Sequence, residues 1–391
     1  MWLIMLPEIS EKEHGRELRE APEGYNTAND FFEALFLDKD LIWMGQNTNH
    51  LHDEDFIMDA MVKAVKRKDY NTYPPPEGLS ELKDLILKDL DLPGMDLVIT
   101  AGATTALYYC MSDLLNDDEN VITPDPGYLI IDNFASRFAK EVRSVPIYSE
   151  ECCYKLTPEL VKENMDDKTK LILLIDPLNP IGGAYTEDEI KEFAKIAKEN
   201  NCFLLHDITY RDFAREHFLA AKYAPENTIT VYSFSKIFGM AGVRIGALIS
   251  TPRIMDSARE ILIDDLGTNV MAQYGAIEAL KSKPKWIDYV KDTTFNNQKI
   301  IKKVVDECEG VFILRYPSDA NMMAIDLSGA GIDPKDFSDY LLERNVFTRE
   351  GGYTSPRFGD RYLRVSYSIP PEEVEIFARE FKKAYEALKT I

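Results

Sequence analysis

The sequence predicts an α/β protein with a mostly parallel sheet, joined to a smaller α+β part. Between residues 96 and 250, short β-branched and apolar runs alternate with amphipathic helical segments, which is the pattern of βαβ units. Polar side chains follow several of these runs, and parallel strands bring such ends together at one edge of a sheet. After residue 284, short strands and long helices follow one another without this alternation.

The size and composition of the chain indicate a globular protein with two domains. With 391 residues, of which 45% are hydrophobic and 29% charged, the chain exceeds one ordinary core. We expect a large α/β domain over residues 48–284 and a small α+β domain formed by residues 1–47 with 285–391. The net charge of −22 would repel a phosphate backbone, so nucleic acid is not an expected partner.

The N-terminus and the cysteines bear on the cellular compartment. No apolar run approaches the length of a membrane span, and residues 1–7 lack the basic start and cleavage site of a signal peptide. The five cysteines form no CxxC pair, which favours reduced thiols in a cytoplasmic protein. We expect no membrane association and no metal site.

Helices are predicted from apolar periodicity and from capping residues. Asn26 or Thr27 is the expected cap of the first helix and Ser80 that of another. Thr186 caps a third, with a glutamate three residues later that completes a capping box. Helices are expected over 28–37, 55–67, from 80 onward, 101–115, from 187 onward, 284–307, 334–343 and 371–388.

Strands are predicted from β-branched and apolar runs. The run at 170–175 is almost entirely apolar, as in a parallel strand that is buried on both faces. Strands are expected over 41–44, 96–100, 120–123, 170–175, 202–206, 228–232, 246–250, 311–314, 321–326 and 362–367. A polar turn follows the first of them at residues 45–48, and three prolines within residues 70–78 indicate an extended loop.

Lys236 follows the predicted strand 228–232 in apolar surroundings that include Phe234. Poor solvation of an ammonium lowers its pKa and raises the fraction of free amine, which imine formation with an aldehyde requires. The hydroxyls of Ser233 and Ser235, together with Arg244, suit a phosphate. An amine beside a phosphate site suggests pyridoxal 5′-phosphate (PLP); the alternative is a solvated lysine in a connection.

Other predicted strands also end in polar or small residues. Each has an ordinary alternative: a tight strand–helix turn, a packed tyrosine, a turn asparagine or a helix N-cap. Their occurrence after successive strands of one sheet favours a ligand site instead. These residues are Gly102, Ala103, Thr104, Tyr128, Asn179, Asp207 and Tyr210.

The order of these motifs resembles the class I/II aminotransferases, the PLP enzymes of fold type I, from about residue 41 to the C-terminus. The resemblance implies an α/β fold with a mostly parallel seven-stranded sheet flanked by helices as the large PLP-binding domain. A smaller α+β domain would then be formed by the N- and C-terminal segments. The motifs are Tyr73-Pro-Pro-Pro-Glu-Gly78, Gly102-Ala-Thr104, Pro126-Gly-Tyr128, Asn179-Pro180, Asp207-Ile-Thr-Tyr210, Ser233-Phe-Ser-Lys236, Arg244 and Arg364.

The resemblance implies the catalytic and cofactor-binding roles. Lys236 would hold PLP as an internal imine and shuttle the proton between Cα and C4′. Asp207 would pair with the pyridinium nitrogen, while Asn179 and Tyr210 would bond the 3′-oxygen. Tyr128 would stack on the ring. The phosphate would be held by Gly102, Ala103, Thr104, Ser233, Ser235 and Arg244.

The resemblance also implies the substrate and subunit contacts. Arg364 would bind the substrate α-carboxylate, with Asn179 and the Gly45 backbone assisting; the alternative is a surface cation on an edge strand. Tyr73 would reach the phosphate of the partner subunit's cofactor, so a homodimer with shared sites is implied. Thr268 would play a similar part across the subunits.

The chain departs from the family pattern at two places that concern the substrate. Asn47 stands where relatives often have a second glycine after the one matched to Gly45. Dicarboxylate-specific members commonly carry an arginine within the stretch that corresponds to residues 263–267, which here contains Asp264 and Asp265. These acids would repel a second carboxylate, so an aspartate transaminase of that subtype is not expected, unless other cations act from elsewhere.

The favoured hypothesis is a PLP-dependent aminotransferase that moves an amino group between an L-amino acid and a 2-oxo acid by a ping-pong mechanism. A PLP-dependent carbon–sulfur β-lyase on the same fold is the alternative, because it would use the same Lys236 and Arg364. A non-catalytic binding or regulatory protein that retains the fold is a third hypothesis, which would be expected to carry an appended DNA-binding segment or to lack the lysine. The sequence does not assign the substrate side chain.

Overall fold

The computed structural model of the chain describes residues 24–51, 55–262 and 266–389. The chain divides into two compact units, Met1–Leu41 and Ile42–Ile391. The predicted domains, 48–284 and 1–47 with 285–391, stay a prediction. Residues 1–7, for which no signal peptide is expected, lie outside the described part.

The described part of the first unit contains helix α1, Ala28–Leu37. Thr27 is its N-cap: the Thr27 hydroxyl accepts the Asp30 backbone N–H at 3.1 Å, and the Asp30 carboxylate accepts the Thr27 N–H at 3.0 Å. This reciprocal pair satisfies two N–H groups that the first helical turn leaves without partners. The predicted helix is confirmed, and Thr27 rather than Asn26 is its cap.

The second unit carries the remaining helices and the strands. Its helices are α2 (Asp55–Lys66), α3 (Ser80–Leu90), α4 (Ala103–Leu114), α5 (Leu129–Phe138), α6 (Pro158–Asn164), α7 (Glu187–Glu199), α8 (Pro252–Leu262), α9 (Val270–Ser282), α10 (Ile287–Asp306), α11 (Pro334–Leu342) and α12 (Pro371–Leu388). Its strands are β1 (Ile42–Trp43), β2 (Asp96–Thr100), β3 (Asn120–Asp125), β4 (Glu141–Pro146), β5 (Thr169–Ile175), β6 (Phe203–Asp207), β7 (Thr228–Ser233), β8 (Gly246–Ser250), β9 (Phe312–Ile313), β10 (Met322–Asp326), β11 (Val346–Phe347), β12 (Arg349–Glu350) and β13 (Tyr362–Ser366).

Within the described residues, a seven-stranded sheet has the strand order β2-β8-β7-β6-β5-β3-β4. Strand β8 runs antiparallel to β2 and β7, and the pairs from β7 to β4 are parallel. The carboxyl ends of β2, β3, β5, β6 and β7 therefore meet at one edge of the sheet. This arrangement confirms the predicted fold class.

Alternate residues of the sheet belong to two hydrophobic cores, one on each face. Val231 on β7 packs in the core that includes Leu107 of α4 and Phe193 of α7. The next residue, Tyr232, packs in the core that includes Leu82 of α3 and Ala276 of α9. Because successive side chains of a strand point to opposite faces, helices on both sides of the sheet bury both faces of β7.

A second sheet has the order β12-β13-β10-β9. Leu363 and Val365 on β13 pack with Phe337 of α11 and Phe377 of α12 in a separate core. Arg364 lies between them in sequence, so its side chain points to the opposite face of this sheet. Because β13 pairs with β12 on one side and β10 on the other, the alternative of an edge strand for Arg364 is wrong.

None of the helices in the described ranges combines the length and the apolar character that crossing a bilayer requires.

Candidate active site

The carboxyl edge of the seven-stranded sheet and strand β13 enclose a cavity of about 270 Å³. Most of the residues singled out in the sequence meet here, because the strands that precede them are parallel and adjacent. Those that line the cavity are Gly45, Ala103, Thr104, Tyr128, Asn179, Asp207, Tyr210, Ser233, Ser235, Lys236, Arg244 and Arg364.

Lys236 projects into the cavity from the turn after β7. Its Nζ donates a hydrogen bond to the Gln46 carbonyl at 2.8 Å, and its neighbours Phe234 and Ile237 are buried. Burial has the largest effect on the pKa of Lys236, and together with the nearby Arg364 and Arg244 it lowers this pKa to about 7 against the opposing effect of Asp207. A substantial fraction of the amine is therefore neutral near pH 7, as nucleophilic attack on a carbonyl requires.

Asp207 is the last residue of β6, and Tyr210 follows three residues later, next to the end of β7. One Asp207 carboxylate oxygen accepts the Thr209 backbone N–H at 3.0 Å and the Thr209 hydroxyl at 2.5 Å. Burial raises the pKa of Asp207, while the Thr209 hydrogen bonds and the Lys236 ammonium lower it. The Tyr210 hydroxyl accepts a hydrogen bond from Asn47 Nδ2 at 3.1 Å. One Asp207 oxygen thus closes a turn, and the other accepts no hydrogen bond within the part of the chain that the structure describes.

A cradle for an anion lies where β2 turns into α4. Gly102 has φ +92°, and a Cβ at this position would lie 2.5 Å from Arg244 Nη2. Arg244 also donates to the Ala241 carbonyl at 3.0 Å. The glycine is needed both for the left-handed backbone and for the approach of the guanidinium. Beside it, the N-terminal amides of α4 favour a negative charge.

Tyr128 follows β3 and forms one wall of the cavity. Burial raises the pKa of Tyr128 to about 12, partly offset by a hydrogen bond with Thr104. The ring is therefore neutral at physiological pH and offers an aromatic surface beside the anion cradle.

Arg364 is 3% exposed and is fixed by two hydrogen bonds. Its Nη1 donates to Asn179 Oδ1 at 3.0 Å, and its Nη2 donates to the Gly45 carbonyl. The buried Nε has no hydrogen-bond partner among the residues that the structure describes. Burial lowers the pKa of Arg364, yet a guanidinium stays charged in proteins. A buried cation with a spare donor suits a carboxylate.

Several cavity residues were not singled out as site residues in the sequence. Gln46 supplies the carbonyl bound by Lys236, and Asn47, with φ +54°, binds Tyr210. The sequence did contain a signal for the backbone conformation of Asn47: it stands where relatives often have glycine, and asparagine also tolerates a left-handed backbone. Arg349 and Tyr353 also line the cavity; their position depends on the pairing of β12 with β13, which the sequence did not reveal.

Three of the predicted residues do not line the cavity. Tyr73 is 76% exposed, and Gly102 contributes by making room for Arg244 rather than by lining the wall. Thr268, expected to act across subunits, is buried outside the cavity lining. The acidic positions 264 and 265 lie outside the described residues.

A cluster of three potential metal ligands lies at the start of the loop that contains Asn179: Asp176, His206 and His217. Asp176 Oδ2 lies 3.3 Å from His206 Nε2 and 3.1 Å from His217 Nε2. His206 Nδ1 accepts the Ala220 backbone N–H at 3.3 Å, so the His206 proton belongs on Nε2, which then donates to Asp176. Asp176 also accepts the Tyr185 N–H at 3.2 Å. We interpret the cluster as a hydrogen-bonded closure of the loop 176–185.

Comparison with known proteins agrees with this geometry. The family model described as "Aminotransferase class I and II" matches residues 39–381. An aspartate aminotransferase of Pyrococcus horikoshii is 29% identical and covers 92% of this chain and 94% of its own. A probable aspartate/prephenate aminotransferase of Aquifex aeolicus is 30% identical, covering 89% of this chain and 92% of its own.

A solved structure supports the fold. The aromatic aminotransferase from Pyrococcus horikoshii OT3 aligns with a TM-score of 0.79 at 24% identity, over 91% of this chain and 98% of that chain. Because the family model spans most of the sequence and the site residues converge in one cavity, the chain belongs to the class I and II aminotransferases and is a transaminase.

Proposed function

We propose that the protein binds PLP covalently through Lys236 and transfers an amino group between an L-amino acid and a 2-oxo acid by a ping-pong route. The observation that carries the proposal is the desolvated Lys236 amine, with a pKa of about 7, in one cavity with Asp207, Arg244 and Arg364. PLP supplies the aldehyde that receives the amino group and a ring that withdraws electrons from Cα.

The residues of the cavity fit this cofactor. Arg244, the Gly102 turn and the hydroxyls of Ser233 and Ser235 would hold the phosphate, since donors and positive charge converge there. The Asp207 carboxylate would pair with the ring nitrogen and keep it protonated. Tyr128 would lie against the ring, Asn179 and Tyr210 would bond its 3′-oxygen, and Ala103 and Thr104 would complete the phosphate site.

The same cavity would bind and deprotonate the substrate. Arg364 takes the α-carboxylate through its Nε and terminal donors, which orients the Cα–H bond. Asn179 and the Gly45 carbonyl hold the guanidinium in place. Once the substrate amine has displaced it from the cofactor, Lys236 Nζ would be free to remove the proton from Cα as a general base.

A homodimer with shared sites is part of this proposal. An exposed apolar surface supports it: Met58 and Val65 on α2 are 54% and 48% exposed, and Tyr70 is 55% exposed. Tyr73, at 76%, follows them in the chain. A second copy would bury this surface and bring Tyr73 to the phosphate of the partner subunit's site.

One experiment separates a transaminase from a β-lyase. The PLP-loaded protein is mixed with amino donors in the absence of any oxo acid, and absorbance, ammonia and pyruvate are followed. A transaminase converts one equivalent of donor and stops with the amino group on the cofactor, and added 2-oxo acid restarts it. Continuous release of ammonia and pyruvate from a sulfur amino acid would instead identify the β-lyase.

Gly102→Ala is expected to weaken PLP binding about 10- to 100-fold, as expected for lost hydrogen bonds to a charged group. The added Cβ would displace Arg244 Nη2, which lies 2.5 Å from its position. Gly94→Ala is the matched control, because Gly94 has φ +79° with nothing within 4 Å of a Cβ. Both variants should lose about 1 kcal/mol of stability from backbone strain, and cofactor titration should separate them. Equal PLP affinity of the two variants would contradict the proposal that Gly102 and Arg244 together bind the phosphate.

A further inference from the structure

Asn47 lies in the wall of the cavity and is held there by the smaller sheet. It is 1% exposed and has φ +54°. Its carbonyl accepts a hydrogen bond from Asn321 Nδ2 at 3.1 Å, and the same Nδ2 donates to Ser368 Oγ at 2.8 Å. Because Asn321 directly precedes β10 and Ser368 follows β13, the four-stranded sheet fixes the position of Asn47 in the cavity.

A sulfur atom determines the orientation of the Asn47 side-chain amide. Its Nδ2 lies 2.8 Å from Met322 Sδ and 3.1 Å from the Tyr210 hydroxyl oxygen. A thioether accepts hydrogen bonds and cannot donate them, so the NH₂ group and not the oxygen faces Met322. In the opposite orientation the amide oxygen would face the sulfur lone pairs, and Tyr210 would donate to Asn47. The observed contacts therefore make Asn47 the donor and Tyr210 the acceptor.

The Tyr210 hydroxyl consequently has its own proton to donate in another direction. Burial raises the pKa of Tyr210, and although Asn47 and Arg364 lower it, the net rise keeps the phenol protonated at neutral pH. Tyr210 lines the cavity, and its proton has no acceptor in the ranges of the chain that the structure describes. The phenol thus offers an O–H donor to a ligand of the cavity.

We infer, on the basis of the proposed function, that Asn47 is a positioning residue that directs the Tyr210 proton at the 3′-oxygen of PLP. The bond that Tyr210 accepts from Asn47 also polarises its O–H group and strengthens the bond that it donates. A donor at the 3′-oxygen favours the state in which this oxygen is most negative, which is reached when the cofactor-bonded Lys236 nitrogen has lost its proton. Asn47 would therefore lower the pKa of that nitrogen.

The test measures the visible absorbance of the PLP-loaded protein as a function of pH, which requires no turnover. The midpoint of the absorbance change reports the proton on the cofactor-bonded Lys236 nitrogen. Asn47→Gly and Asn47→Ala both remove the amide, and they differ in backbone freedom. Each should raise the midpoint by about 0.5–1 pH unit, as expected for the loss of one neutral hydrogen bond.

A double-mutant cycle tests whether Asn47 acts through Tyr210. Tyr210→Phe removes the donor itself and should raise the midpoint at least as much as Asn47→Gly does. If Asn47 acts only by directing the Tyr210 proton, adding Asn47→Gly to Tyr210→Phe should change the midpoint by less than about 0.3 unit. A merely structural role of Asn47 would shift the midpoint equally with and without the Tyr210 hydroxyl.

Asn297→Ala is the matched control. Asn297 is also a fully buried asparagine, and its Nδ2 donates to the Tyr367 and Ile369 carbonyls at 2.9 Å and 2.8 Å. It does not line the cavity. The variant should lose stability in thermal unfolding and keep the wild-type midpoint.

The outcomes separate the two proposals. An unchanged or lowered midpoint in both Asn47 variants, additive shifts of Asn47→Gly and Tyr210→Phe, or an equal shift in Asn297→Ala would overturn the inference and leave the transaminase reaction intact. A wild-type protein that forms no bond between Lys236 and PLP would overturn the proposed function and this inference with it.

Discussion

Lys236→Ala is expected to lower kcat at least about 10⁴-fold, because it removes both the covalent attachment of PLP and the general base. The variant should take up PLP, if at all, without forming a borohydride-stable bond. In wild type, borohydride reduction and peptide mapping should place the modification on the peptide that contains residue 236. Amino-group transfer is measured with a panel of donors and a saturating 2-oxo acid.

Lys155→Ala is the matched control for this variant. Lys155 is also buried, 6% exposed, and pairs with Glu189 at 2.7 Å outside the cavity. Its removal should lower stability and leave the modification of Lys236 intact. A fully active K236A, or reduction that labels another lysine, would contradict the role of Lys236.

The pKa of Lys236 gives a pH signature for the same group. The protonated amine is unreactive, so the rate of PLP uptake by the apoprotein should rise with pH and level off above about 7, the pKa to which burial lowers Lys236. With an ordinary lysine pKa of about 10.4, the rate would keep rising tenfold per unit to about pH 10. A profile of that kind would show that the pKa of Lys236 is not lowered by burial.

Arg364→Ala is expected to lower kcat/KM about 10²- to 10³-fold, since truncating one partner of a buried, hydrogen-bonded charge pair costs about 3–4 kcal/mol. The loss should fall mainly on KM and should be similar for every amino acid, because all carry the α-carboxylate. Arg364→Lys should recover little, as one ammonium cannot also bond Asn179 and the Gly45 carbonyl in the observed geometry. Steady-state kinetics with several donors provide the measurement.

Arg143→Ala is a suitable comparison for Arg364→Ala. Arg143 also lies on a strand and bonds Asp166 at 2.6 Å and the Asn164 carbonyl at 2.8 Å, away from the cavity. It should affect stability and leave KM unchanged. An R364A variant with normal KM for amino acids and weakened PLP binding would assign Arg364 to the cofactor instead.

Local sequence signals predicted much of the fold. Helices α1 and α12 and strands β2 and β8 have the predicted bounds. The signals that define each of them, an apolar pattern and the residues that begin or end it, are local in the sequence. The cap at Ser80 was wrong by one position, since Leu79 occupies the N-cap and Ser80 begins the helix. Helices α5, α6, α8 and α9 and strands β4, β11 and β12 were not predicted.

The missed elements have physical reasons. Helix α9 is buried on several sides through small residues such as Ala272, Ala276 and Ala279, so it lacks the one-sided apolar pattern of a surface helix. Strand β4 is an edge strand that alternates charged and apolar residues and is largely half-buried. Neither pattern distinguishes an element from a loop without its neighbours.

The site shows the same division between local and tertiary information. Residues at the ends of predicted parallel strands, such as Asp207 and Lys236, could be placed because parallel strands share an edge. Arg349, Tyr353 and Asn47 could not, since each depends on pairing or packing with segments distant in the chain. The roles assigned to the cofactor-binding residues stay proposals until the experiments above are done.

The pairing of β12 with β13 ties the lining of the cavity to the length of a loop. Side chains of a strand alternate between faces, so shifting Arg349 by one position against Arg364 would turn it away from the cavity. Residues 351–361 connect the two strands, and insertions there would be tolerated only when the register is restored. Variation among natural or engineered relatives should therefore be freer in the composition of this connection than in its number of residues.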